Sequence, residues 1–516
     1  MSFQSHRPTG YIAKGDEYLP RLAEDLERIL IKMQESLMYD TLCLSDSKLE
    51  ELAGVLVEFA EDIHNNIGIW DSLEGYNIEF FGTPLPFVLQ PNEDMGLEEI
   101  NEYRIQHLLW VLYSELNPQL ILSPTHRDLK QLAVVVADFL KARFAKIPRG
   151  SSAKRFLTQP NRFGWDVKRK LVWMGTHSYM FRNSFRNYVE DQGGKPEIPM
   201  IDDFVCQQTT AWSGLGVVDI LAAILDISKE QRSTLRSWYE RCLAYYRVLA
   251  IKGNSIEIIN TINDKSYRVR FQNGTNPFEV GQIVFGSLVP WDGEWYWSGE
   301  QAKLGNVGDD TLQELKKTFL RKVPEIAYRY CSQLAEKAEQ AVDLHYHEFV
   351  KYHGNDLVIY PNGLSMAADL QKERRQQWES KPREAIARVM EEHKLKKPWP
   401  SMSFPRELLE SENGVGVYCN SEEGPEMMTG FNNIISGLKK KGVNLNKDEE
   451  SGIRSFVCSD SVSAKFVRRL TQEYGYESIE STFLIRGGHD ESHLDYLLRR
   501  YKGAYYRKRY PRIALV

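Results

Sequence analysis

Two histidines four residues apart, His489 and His493 in HDESH, are the nearest thing in the chain to a metal-binding pair. On a helix that spacing sets both imidazoles on one side, which is what a metal hydrolase would need. The HExxH context that adds a general base is missing, and Gly487-Gly488 crowd the start of such a helix. His345 and His347 in HYH add two imidazoles, and a solvated or structural role is the plainer reading of all four. SGLGVVD (213–219) lacks the third glycine and the preceding strand of a phosphate-cradling turn. There is no Walker A loop and no G-x-S-x-G elbow. His177, between Trp173 and Tyr179 in sequence, reads as a core histidine. These residue types favour a non-enzymatic protein and imply no cofactor.

Charge is the stronger signal. The formal net charge is −6, yet Lys141–Arg186 holds twelve Lys or Arg against the single acid Asp166, and 499–512 (RRYKGAYYRKRYPR) holds seven cations and no acid. The first span also carries eight aromatics: Phe144, Phe156, Phe163, Trp165, Trp173, Tyr179, Phe181 and Phe185. Cations that follow phosphates, together with rings that stack bases, are the ingredients of single-stranded nucleic-acid sites. On that reading Arg143, Arg149, Lys154, Arg155, Lys168, Arg169 and Lys170 contact phosphates, and Arg499, Arg500, Lys502, Arg507, Lys508 and Arg509 extend the surface. The bland alternative pairs the basic face with the acidic remainder of the same chain and leaves Lys168–Lys170 solvated. WDGEWYWSG (291–299) concentrates three Trp and one Tyr. With period two, Trp295 and Trp297 share a strand face, either as a stacking platform or as the core of a small β unit.

The elements that must position these residues are mainly helical. Residues 18–65 read as two helices, and helical periodicity runs with breaks from Leu97 to about Ala250. Its clearest stretch is SKEQRSTLRSWYERCLAYYRVLA, where Ser228 and Gln231 form a capping box and Leu235, Trp238, Cys242, Tyr245 and Leu249 share a face. From Gly253 the pattern changes to strands separated by NDK, QNGTNP and WDG. Helices return after about 307, with a break near Pro324, and KKPWPSMSFPREL (396–408) reads as a linker.

The expected fold is therefore α+β, with a small antiparallel barrel of SH3 or OB type. The expected divisions are 1–95, 96–252, 253–306 (the barrel), 307–398 and 399–516. Apolar runs are too short and too often charged to span a bilayer, and the N-terminal stretch has no apolar leader region. Six cysteines without a CxxC pair read as reduced thiols in a cytoplasm.

GWDVKRKLVWMGTHSY (164–179), TTAWSGLGVVDIL (209–221), RSWYERCLAYYRV (236–248), VFGSLVPWDGEWYWSGEQ (284–301), FLIRGG and LLRRYKGAYYRKRYP together resemble a bacterial family catalogued only as a domain of unknown function. The resemblance implies a cytoplasmic protein whose β unit is an internal part, and it carries no activity. The leading expectation is a binding protein for DNA or RNA. A protein-interaction scaffold with the β unit as peptide reader, and a metal hydrolase using His489 and His493, are the alternatives.

Overall fold

The computed structural model describes residues 3–36, 42–89, 94–96, 98–118, 120–271, 278–305, 307–392, 402–485 and 491–513. Its first helices are α1 (Gly15–Ser36), α2 (Asp46–Asn65) and α3 (Ile69–Phe81). Leu19, Leu22, Leu26 and Leu30 form the buried stripe of α1, which packs on α2. Burial along α2 takes in the acids Glu58, Glu61 and Asp62 as well as its apolar residues. Each acid has a partner, as buried charge requires. Arg182 reaches Glu51 at 2.5 Å and also bonds Glu58, while Arg7 reaches Glu61 at 2.7 Å. Burial would raise Glu51, but Arg182 and then Arg186 outweigh it and hold the carboxyl at about 2. Asp62 accepts the backbone N–H groups of Gly68, Ile69 and Trp70 at 2.8–3.2 Å and the Tyr179 phenol at 2.7 Å.

The helical body continues with α4 (Glu102–Leu116), α5 (Arg127–Phe144), α6 (Ser152–Leu157), α7 (Gly164–His177), α8 (Arg182–Asp191), α9 (Ile198–Gln207), α10 (Val217–Ile224) and α11 (Lys229–Arg236). Trp70, fully buried, meets Phe59 and Trp212 edge-on near the centre.

The helix expected through residue 250 stops at Arg236. The Ser228–Gln231 box caps it as foreseen, with two hydrogen bonds of 3.1 Å. One 3-10 turn follows, and then a strand begins at Leu243. LAYYRVLAIK fits period two as well as 3.6, and Ala244, Tyr246 and Val248 are the buried positions. Cross-strand pairing decides the outcome, and Leu249, expected in the core, is 45% exposed.

The strands are β1 (Leu243–Lys252), β2 (Ser255–Asn260), β3 (Ser266–Arg270), β4 (Ile283–Trp291) and β5 (Glu294–Gly305), closed into a barrel in the order β1-β2-β3-β5-β4. The β3–β5 pair is parallel, so the barrel is mixed where an antiparallel one was expected. This is the Greek-key order of OB barrels, in which the outer face of strands 2 and 3 binds oligonucleotides or oligosaccharides. It is not the meander of SH3 domains. Register sets Tyr246, Val248, Ile258, Tyr267, Leu288, Trp295 and Trp297 on the inner face. The opposite face of β4 and β5 joins the helical core through Val289, Trp291 and Tyr296.

The chain divides into two units, Met1–Phe319 with Phe483–Ala504 and Leu320–Thr482 with Tyr505–Val516. After the barrel come α12 (Asp309–Lys322), the break at Pro324, α13 (Glu325–Tyr328) and α14 (Ser332–His353). The second unit continues with β6 (Leu357–Tyr360), α15 (Gly363–Glu379), α16 (Arg383–Glu392), α17 (Arg406–Leu409), β7 (Val415–Asn420) and β8 (Gly424–Thr429). It ends with α18 (Phe431–Lys439), α19 (Lys447–Cys458), α20 (Ala464–Tyr474) and α21 (Glu477–Thr482). A three-stranded antiparallel sheet, β6-β7-β8, was not foreseen, because β7 is buried at all six positions and shows no alternation. The final helix, α22 (Glu491–Lys502), returns Tyr496 to the core of the first unit. Among the described residues no helix is long and apolar enough to cross a membrane.

Candidate nucleic-acid interface

The C-terminal basic stretch does not form one open surface. Arg499 bonds Asp495 at 2.9 Å and lies 3.8 Å over the Phe80 ring. Arg500 is buried, its guanidinium 4.3 Å from the Trp110 ring centre, and Lys502 is also buried. These heads are not presented to a polyanion, which corrects the expectation for Arg500 and Lys502. In the second unit Arg509 bonds Glu423 twice, at 2.8 and 3.1 Å, and Arg512 reaches the same carboxylate at 3.1 Å. Arg507 is half-buried; Lys508 is exposed, 4.8 Å over the Tyr510 ring. Of the apolar terminus IALV, 514–516 lie outside the described residues.

Much of the first basic span is also spent internally. Lys168, expected in solvent, bonds Asp202 and donates to Ser298 Oγ at 2.9 Å. Arg241 joins the same carboxylate at 3.0 Å and Ser287 Oγ at 2.9 Å. This network clamps α7 and α9 to β4 and β5, close enough that a Cβ on Gly299 would come within 2.8 Å of Asp202. Lys170 is 2% exposed and bonds the Gln159 carbonyl and Asn161 Oδ1 at 2.6 Å. Burial lowers its ammonium to about 8. Arg169 is exposed and pairs with Asp166 at 2.9 Å, and Arg143 is half-buried, 3.8 Å over the Phe139 ring.

What remains is a smaller set of exposed cations, most of them along residues 146–162. Arg149 and Lys146 are exposed, with no ion pair among the described residues. Gly150 N–H donates to Asn65 Oδ1 at 2.7 Å, and Lys154 caps the Asn66 carbonyl, so the 145–151 loop and α6 both sit on the C-terminal end of α2. There the helix's exposed carbonyls favour cations. Arg155, exposed, reaches the Ile12 carbonyl at 2.8 Å, which brings the exposed Lys14 into the same neighbourhood. From α6 the chain runs through exposed Arg162 to the barrel, where Trp291 Nε1 donates to the Asn161 carbonyl at 3.0 Å. Arg270 of β3 lies 4.9 Å over the Phe163 ring and bonds Glu294 at 2.9 Å. Arg268, two residues earlier, is exposed and donates to Ser255 Oγ at 3.1 Å. A track thus leads from Lys146 and Arg149 through Lys154, Arg155 and Arg162 to the outer face of β3. Residue composition had not singled out Lys14, Lys146, Arg162, Arg268 or Arg270. The alternation in KSYRVRF, which puts Arg268 and Arg270 outward, was the available signal.

The tryptophans expected to stack bases belong to the barrel itself. Trp295 meets Tyr267 at 4.7 Å, and Trp297 meets Tyr246 and Phe278 at 5.6 and 5.7 Å. Both are half-buried. His489 lies outside the described residues, and His493 packs 4.6 Å from the Phe87 ring. Among the described residues no three His, Cys, Asp or Glu side chains gather as metal ligands.

Residues 16–200 match a family model described as "Protein of unknown function (DUF3843)", a segment running from α1 into the start of α9 and ending before the barrel. No curated protein and no solved structure matches the chain.

Proposed function

We propose that this is a non-enzymatic, cytoplasmic nucleic-acid-binding protein, which holds a strand along the Arg149–Arg155–Arg162 track and over the outer face of β2 and β3. The observation that carries the reading is the closed β1-β2-β3-β5-β4 order with its parallel β3–β5 pair. The unpaired cations leading to that face supply the electrostatics. Stacking does not come from Trp295 and Trp297, so backbone contacts dominate and sequence preference along the track is weak.

The test is fluorescence anisotropy with single- and double-stranded DNA and RNA at 50–200 mM salt. Five cations without an ion pair among the described residues (Arg149, Lys154, Arg155, Arg162 and Arg268), each neutralising a phosphate of a single strand, give a log–log salt slope of about −3.5, a loss of about 100-fold over that range. Arg155→Glu with Arg162→Glu should flatten the slope, whereas Lys508→Glu should not. No binding at 50 mM salt, or salt-independent binding, would overturn the proposal.

A further inference from the structure

Beside Lys154 a cleft of about 470 Å³ opens between α3, the end of α10, the end of α11 and the α2–α3 turn. One stripe of α3 (Asp71, Gly75, Tyr76 and Glu79) lines it opposite Ile224 and Arg236. Gly75 leaves the middle of that stripe open, and a Cβ there would meet nothing within 4 Å. Asp71 and Glu79 are exposed and have no ion-pair partner among the described residues, although Lys154 and Arg236 line the same cleft. Their acceptor oxygens are therefore available to a ligand. Arg236 bonds the Tyr76 phenol and lies 5.1 Å over its ring, while its Nε is buried without a hydrogen-bond partner. Tyr76 stacks in turn on Phe80, 5.9 Å away and tilted by 22°.

The cleft thus combines carboxylate acceptors, a guanidinium donor, an apolar wall and the Lys154 ammonium at its rim. A carboxylate can accept two parallel N–H bonds. Among the bases only guanine offers two adjacent ring-edge donors, N1–H and N2–H, for one carboxylate, and its O6 and N7 suit an arginine. We propose that this cleft binds an unpaired guanine nucleotide, with the base edge on Asp71, the acceptor edge at Arg236 and the phosphate on Lys154. The proposal rests on the nucleic-acid reading above if the nucleotide belongs to a strand, and stands apart from it if the nucleotide is free.

The experiment measures full-length protein against labelled T7, T3GT3 and T3AT3 oligonucleotides by anisotropy, and against GMP and AMP by calorimetry. T3GT3 should bind about tenfold tighter than T7, the discrimination of one bidentate base contact. Asp71→Asn and Gly75→Phe should each erase that preference and leave T7 affinity unchanged. GMP binding lost in Asp71→Asn, without any oligonucleotide binding, would support the cleft with a free nucleotide as its source. Oligonucleotides bound equally, with no GMP binding, would overturn the cleft proposal and leave the track intact. Failure of every ligand would overturn both.

Discussion

Glu115 offers a quantitative test of how dry the core of the first unit is. It is 7% exposed on α4; the Ser184 hydroxyl donates to one carboxyl oxygen, and the other is buried without a hydrogen-bond partner. Burial pushes its carboxyl up to about 7, against the opposing influence of Ser184 and Arg500. In the unfolded chain it titrates near 4.5. Between those values the folded protein keeps a proton that the unfolded chain has lost, so stability falls as pH rises from about 4.5 to 7. A gap of about 2.5 in pKa at about 1.4 kcal/mol per pH unit makes the full loss about 3.5 kcal/mol, of which about 3 kcal/mol falls between pH 4.5 and 8. Glu115→Gln preserves the uncharged shape and has nothing to ionise. Urea unfolding followed by tryptophan fluorescence should give the variant and the parent equal stability near pH 4.5. By pH 8 the variant should lead by about 3 kcal/mol. His107 and His6, lowered by burial to about 3 and about 4, impose the opposite slope on both proteins and cancel in the difference. A pH-independent difference, or a variant that is weaker at pH 8, would refute the reasoning and show that Arg500 holds Glu115 ionised.

Three further perturbations test the packing. Asp202→Ala leaves Lys168 without its carboxylate and Arg241 with the longer Asp203 ion pair at 3.5 Å, and should cost about 3 kcal/mol in urea unfolding, the low end of the penalty for breaking a buried pair; a loss under 1 kcal/mol would deny the clamp. Gly214 has φ +72°, and a Cβ there would overlap the Arg499 carbonyl, so Gly214→Ala should lower the melting temperature by several degrees, for a cost of about 2 kcal/mol or more. Trp297→Ala should cost about 2–3 kcal/mol, below the range for a fully buried ring, and leave oligonucleotide affinity per folded molecule unchanged; reduced affinity at full folding would return that ring to the interface.

What could be read from the residues alone was local. The Ser228–Gln231 box and the Asp292-Gly293 hairpin formed as expected, the latter with φ of +50° and +79°. Residues 237–250 misled because their apolar positions satisfy both periods, and only partners at 255–260 and 283–287 resolve the choice. The fate of the cations was equally invisible: Arg182 and Glu51 are 131 positions apart, and Lys168 and Ser298 are 130 apart. Composition showed the charge but not its neutralisation. The OB order depends on a parallel contact between β3 and β5, which no local pattern encodes.

The first unit is assembled from two stretches of chain, with Leu320–Thr482 synthesised between them. A ribosome therefore releases the helical body and the barrel well before Tyr496 can fill its place beside Trp110 and Phe87. Until then the apolar faces of Trp110 and Phe87 that Tyr496 meets lack that cover, and exposed surface of this kind favours aggregation. A chain ended at residue 482 would be caught permanently in that half-finished state.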